Sequence, residues 1–137
     1  MRRAMLIMTL LLWPVVAVAQ EANGPAAAIQ SVIRSQFSAF STGDVALAWG
    51  YASPGIQDIF QTPEYFGAMV ERGFPMVWQP GEVTFQSLGM RNGRQVQRVQ
   101  VIDTEGRLHL LEYEMVQVDG NWRISAVEIL RAPALGA

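Results

Sequence analysis

Two dipeptides, Asn92-Gly93 and Asp119-Gly120, constrain what this chain can fold into more than anything else in it. Each sits between runs in which apolar and polar residues alternate. Asn-Gly and Asp-Gly tolerate the positive φ that a two-residue hairpin turn requires at both central positions. Each therefore predicts two antiparallel strands joined by a tight turn. "EVTFQSLGM" and "RQVQRVQVID" flank the first, and "RLHLLEYEMVQV" and "NWRISAVEILR" flank the second. Between the pairs, "TEG" (Thr104 to Gly106) turns the chain once more. The expected product is a four-stranded antiparallel meander.

Before Pro80 the pattern is different. Ile29, Val32, Ile33, Phe37 and Phe40 recur at helical spacing, and Gly43 follows them as a helix stop. Asp44 is placed to cap a second short helix, a more ordinary role for it than that of a base. Ser53-Pro54 and Thr62-Pro63 are both a cap followed by an N1 proline, so each predicts a further helix start. Phe74-Pro75 predicts extended backbone. A run of helices followed by a run of strands gives an α+β domain, with N-terminal helices packed on a curved sheet.

The first residues have a separate logic. Arg2 and Arg3 precede an apolar run from Ala4 to Val16, and Ala17-Val18-Ala19 is a small-x-small site. That is the layout of a secretory signal peptide, and the run is shorter than the ~20 residues a bilayer span needs. The expected organisation is a signal peptide at 1–19, a flexible start at 20–27, one domain at 28–131 and a tail at 132–137. Cleavage after Ala19 would deliver an exported protein, periplasmic or secreted, with no stable membrane insertion. Losing Arg2 and Arg3 takes the formal net charge from −2 to −4. A mildly acidic domain without a basic run argues against nucleic acid as a partner. The chain has no Cys, which excludes thiol catalysis, Cys-ligated zinc and disulfide support. With one His, no polyhistidine metal site can form. No phosphate-binding loop, nucleophile elbow or calcium loop is present, so neither a cofactor nor a metal is expected.

A two-residue turn at Asp119-Gly120 pairs Val118 with Asn121. An unbroken register then puts His109, Leu111, Tyr113 and Met115 on one face with Trp122, Ile124, Ala126 and Glu128. This face, aromatic and poor in charge, is expected to meet the helices. It makes His109 and Glu128 diagonal neighbours in an apolar enclosure. They are candidates for an acid–base pair, or for a structural ion pair at the core margin, with Tyr113 close by. Trp49, Tyr51, Asp58, Tyr65 and Trp78 are candidate pocket residues, although aromatics so placed are more often core. Arg98 and Glu112 are expected to be cross-strand neighbours on the outer face, as a surface ion pair of small energetic weight.

The segments "ASPGIQDIF", "MVWQPGEVTF" and "LHLLEYEMVQVDGNWRISAVEIL", following the helical region, resemble a family of small exported bacterial proteins known as domain of unknown function 4864. The "DGNWRI" hairpin is also similar to the last hairpin of the nuclear transport factor 2-like, or SnoaL-like, superfamily. That resemblance implies a cone-like α+β fold with a cavity at its wide end. It implies no activity, because the superfamily holds enzymes and non-catalytic binding domains alike. The leading expectation is a domain that binds a small apolar or amphipathic ligand, or serves as an accessory association module. A cofactor-free proton-transfer enzyme using Glu128 and His109 is the second. The third is a structural homodimer paired through the sheet's outer face, where Leu108, Leu110, Val116, Val118, Val127 and Ile129 are expected among charges.

Overall fold

A computed structural model describes residues 24–130. The segments expected to be a signal peptide with its cleavage site and a C-terminal tail lie outside the described residues. Helix α1 spans Ala26–Ser41, beginning inside the segment expected to be flexible. It buries Ile29, Ile33, Phe37 and Phe40 of the expected stripe together with Gln36 and Ala39, while Val32 of that stripe is half-buried. Helix α2 (Val45–Trp49) starts where Asp44 accepts the backbone N–H of Leu47. Helices α3 (Pro54–Phe60) and α4 (Pro63–Gly73) start at Ser53 and Thr62, whose hydroxyls accept the N–H groups of Ile56 and Tyr65. In each case the cap satisfies a donor that the first helical turn leaves free. Phe74, with φ −134° and ψ 58°, leaves the helical region without becoming extended, and Pro75 then opens one more helical turn, α5 (Pro75–Trp78). The extended backbone expected at Phe74-Pro75 is not formed, because proline is suited to the first position of a helix.

Close packing of the short helices depends on Gly67. A Cβ there would lie 2.4 Å from Val45 Cγ1, so α2 rests directly on the backbone of α4. Around this contact Phe66 meets Phe40, Trp49 and Phe60 with ring centroids 5.8, 5.5 and 5.8 Å away. Among the described residues no helix is long and apolar enough to cross a membrane.

Strands β1 (Pro80–Arg91), β2 (Arg94–Asp103), β3 (Leu108–Val118) and β4 (Asn121–Leu130) form one antiparallel sheet in the order β1-β2-β3-β4. Both two-residue turns are of the expected kind, with φ of 52° and 78° at Asn92-Gly93 and 51° and 79° at Asp119-Gly120. The inner face of β2 and β3 supplies Val99, Val101, Leu111, Tyr113 and Met115, all at most 1% exposed, to the core under α1.

Besides a register shift between Pro80 and Glu82 at the start of β1, two bulges interrupt the pairing. In β1 the register shifts between Phe85 and Leu88. The side chain of Gln97, fully buried, fills this irregularity: its Nε2 donates to Gln86 O at 2.9 Å and to Arg98 O at 2.8 Å, with Ser87 O at 3.4 Å. In β4, Ile124 pairs with Met115 but Ala126 pairs with Glu114, leaving Ser125 as the extra residue. Its Oγ donates to Glu114 O at 3.0 Å. An extra residue on one strand bends it and strengthens the local twist.

The β4 bulge corrects the expected faces. Up to Ile124 the pairing is the expected one. Beyond Ser125 every side chain is on the opposite face from that expected, because the period along a strand is two. Val127 now pairs with Tyr113 and Ile129 with Leu111, on the helix side. Glu128 pairs with Glu112 on the outer face and is exposed.

Candidate functional site

The helices and the bent end of the sheet do not close completely. A cavity of about 280 Å³, partly open to solvent, remains between them. Its walls are Gln36 and Phe40 of α1, Ile56 and Phe60 of α3, Phe66, Met69 and Val70 of α4, then Phe74 and Val77. Tyr113 of β3 and the bulged stretch Ile124 to Val127 of β4 complete them. The bulge therefore does more than change faces. It turns β4 so that Val127 enters the wall and Glu128 leaves it.

The polar groups in this wall are few. Gln36 is buried, and its Nε2 donates to Ala48 O at 3.2 Å. Ser125 Oγ donates to Glu114 O. Tyr113 is 1% exposed, and its hydroxyl has no hydrogen-bond partner among the described residues. Burial pushes the phenol far above its ordinary ionisation range, so it stays a neutral donor. Phe37 packs against the Tyr113 ring at a centroid distance of 6.1 Å.

The expected Glu128–His109 pair is not formed, since the bulge puts the two on opposite faces. His109 instead contacts Asp103, with Nε2 to Oδ2 at 2.8 Å. The same carboxylate accepts the backbone N–H groups of Glu105 and Arg107 through Oδ1, each at 2.9 Å. The His109 contact, then these backbone donors, hold the Asp103 carboxyl well below the usual carboxylate range. This pair borders a separate groove with Trp78 and Met76. It clasps the turn between β2 and β3 and lies outside the cavity wall.

None of the five sequence candidates for the pocket lines the cavity. Trp49 is half-buried with its edge on Phe66. Tyr51 is half-buried and contributes its carbonyl to Ile124 N, at 2.9 Å, tying the α2–α3 link to β4. Asp58 is exposed, and Tyr65 is 70% exposed. Trp78 packs on Phe40 at 5.7 Å and faces the other groove. The residues that do line the cavity left two traces in the sequence. Gln36 is a polar residue within the apolar stripe of α1. The apolar alternation of β4 changes phase between Ile124 and Val127, which is what an extra residue produces.

On the outer face Arg98 does meet Glu112, at 3.2 Å, but the pair is more than a surface contact. Glu112 is only 7% exposed and is also bound by Arg91. Burial pushes its carboxyl up, while hydrogen bonds from Arg91 and Arg98 pull it down, and the net effect is below the ordinary value.

Comparison with known proteins bears on this architecture. A domain of unknown function, DUF4864, matches residues 22–137, which is most of the chain. The chain belongs to the DUF4864 family. No curated relative of it matches at the sequence level. Solved structures similar to this DUF4864 chain include a SEC-C motif containing protein from Rhodopseudomonas palustris, 17% identical, with a TM-score of 0.55 over 77% of this chain and 81% of that one. An NTF2-like protein of unknown function from Shewanella baltica is 13% identical, with a TM-score of 0.52 over 85% and 98%. Another from Shewanella oneidensis is 15% identical, with a TM-score of 0.50 over 77% and 98%. At these identities the likeness is one of fold. The DUF4864 domain has the NTF2-like architecture, helices packed on a curved four-stranded antiparallel sheet.

Proposed function

We propose that this DUF4864 protein is an exported domain that binds one small, largely apolar molecule in the cavity between its helices and the bulged end of β4. The observation that carries the reading is the wall itself. It is built of Phe, Ile, Val and Met, with three polar side chains, Gln36, Tyr113 and Ser125, placed among them. Ligand sites have this composition, an apolar enclosure with a few placed polar groups, and the volume is just under the ~300–1,000 Å³ usual for them. Export is supported by the Arg2-Arg3 start, the apolar run and the Ala17-Val18-Ala19 site.

A proton-transfer enzyme at this site is less well supported. Its expected carboxylate, Glu128, faces away, and Tyr113 is the one titratable side chain in the described wall. Without a base near neutrality, the wall offers binding and no means of abstracting a proton.

Titration with the neutral fluorophore N-phenyl-1-naphthylamine tests the reading. Saturable binding at one site is expected, and Val127→Trp or Met69→Trp, each filling the cavity, should remove it. Glu105→Ala, on the separate groove, should leave it unchanged. Absence of saturable binding, or binding indifferent to both filling substitutions in folded protein, would overturn the proposal.

A further inference from the structure

The hydroxyl of Tyr113 is enclosed, bears a hydrogen, and has no acceptor among the described residues. Buried polar groups in folded proteins almost always find a partner, so each exception asks what would complete it. The other two polar side chains of the wall are already committed as donors, Gln36 Nε2 to Ala48 O and Ser125 Oγ to Glu114 O. Tyr113 is thus the one polar side chain of the wall with no hydrogen-bond partner among the described residues. No Arg, His, Asp or Glu is in the described wall, so an ionised ligand would enter without a counter-charge. The hydroxyl is closed off from the cavity, so a ligand must displace wall side chains to reach it, and Met69 in that wall has the unbranched side chain that repacks most readily.

We infer that the cavity is specific for an uncharged apolar molecule carrying a hydrogen-bond acceptor, a ketone, ester or ether oxygen, and that Tyr113 is the residue that recognises that oxygen. This rests on the ligand-binding reading above and narrows it to a chemical class. Such a ligand places its oxygen about 2.7 Å from the phenol oxygen, the usual separation for an O–H···O bond. Its hydrocarbon part replaces water against the aromatic and aliphatic wall. A hydrocarbon without the oxygen would still fit but would leave the hydroxyl unpaired.

Three probes of one shape separate these cases. In 2-acetylnaphthalene and 2-isopropenylnaphthalene a carbonyl oxygen is exchanged for a methylene group, and 2-naphthoate supplies a charged counterpart. Each is measured by displacement of N-phenyl-1-naphthylamine from the parent protein and from Tyr113→Phe. The ratio of ketone to alkene affinity should fall about three- to tenfold in Tyr113→Phe, the worth of one net hydrogen bond, with alkene affinity unchanged. The naphthoate should bind most weakly to the parent. An equal ratio in the two proteins, or naphthoate binding more tightly than the ketone, would overturn the inference while leaving ligand binding intact. Failure of the fluorophore and of all three probes to bind would sink both. If Tyr113→Phe does not fold, the infrared carbonyl stretch of 2-acetylnaphthalene bound to the parent decides. A shift to lower frequency than in hydrocarbon solvent supports the inference, and an unshifted band refutes it.

Discussion

Replacing Gln97 by Leu should destabilise this domain more than its position on a strand next to the sheet edge suggests. The side chain is fully buried on the inner face of β2. Its amide spans the β1 bulge with two short bonds, 2.9 Å to Gln86 O and 2.8 Å to Arg98 O, and a longer approach of 3.4 Å to Ser87 O. Leucine fills nearly the same volume but donates nothing, so two carbonyls lose their donor at once. A buried acceptor left unpaired costs roughly 1–3 kcal/mol. Gln86 and Ser87 lie at exposed positions, where water recovers part of the loss. The net expectation is therefore about 2–3 kcal/mol, a large share of the ~5–15 kcal/mol that typically holds a domain together. Urea unfolding followed by tryptophan fluorescence should show the midpoint falling by roughly 1–2 M, taking a slope of about 1–3 kcal/mol/M. Gln30→Ala serves as the comparison. Its Nε2 reaches Gln97 Oε1 at only 3.4 Å, so its loss should cost under about 0.5 kcal/mol. A Gln97→Leu midpoint within error of the parent would refute the account of the bulge as held by this amide.

Glu112 should make stability depend on pH. Its carboxyl ionises below its ordinary value of 4.5 in the folded chain, so its stabilisation is full above the unfolded value and is lost as pH falls through the folded one. Glu112→Gln should cost about 1–2 kcal/mol at pH 7, moderated because Arg91 and Arg98 are near water, and the gap to the parent should narrow below about pH 4 in urea titrations. A gap that stays constant down to pH 2 would contradict the ion-pair account. Gly67→Ala should destabilise by about 1–3 kcal/mol through its clash with Val45, and adding Val45→Ala should return part of that loss in a double-mutant cycle. Intact-mass measurement of protein recovered after export should show Gln20 at the N-terminus. Full-length protein held in the membrane fraction would count against the proposed cleavage.

The features of this protein that depend on near neighbours are legible in its amino-acid order. Asn92-Gly93 and Asp119-Gly120 require positive φ and so fix two hairpins, and Asp44, Ser53 and Thr62 fix three helix starts, because a cap satisfies donors only three residues away. The α+β order and the buried stripe of α1 follow from periodicity in the same way. The cavity was not legible like this. An unbroken register from the Asp119-Gly120 turn carries Glu128 inward, and the phase change from Trp122 and Ile124 to Val127 and Ile129 was the only sign against it. A phase change is compatible with a bulge or with a strand whose outer face is partly apolar. Only the helix layer decides between them, since an inward Glu128 would put a carboxylate among side chains that cannot solvate it. The extra residue at Ser125 lets Val127 pack toward the helices and sends Glu128 to water. The same tertiary contacts enclose Tyr113 and leave its hydroxyl unpaired among the described residues. Whether a side chain finds a partner depends on elements distant in the chain, and no local pattern around Tyr113 records it.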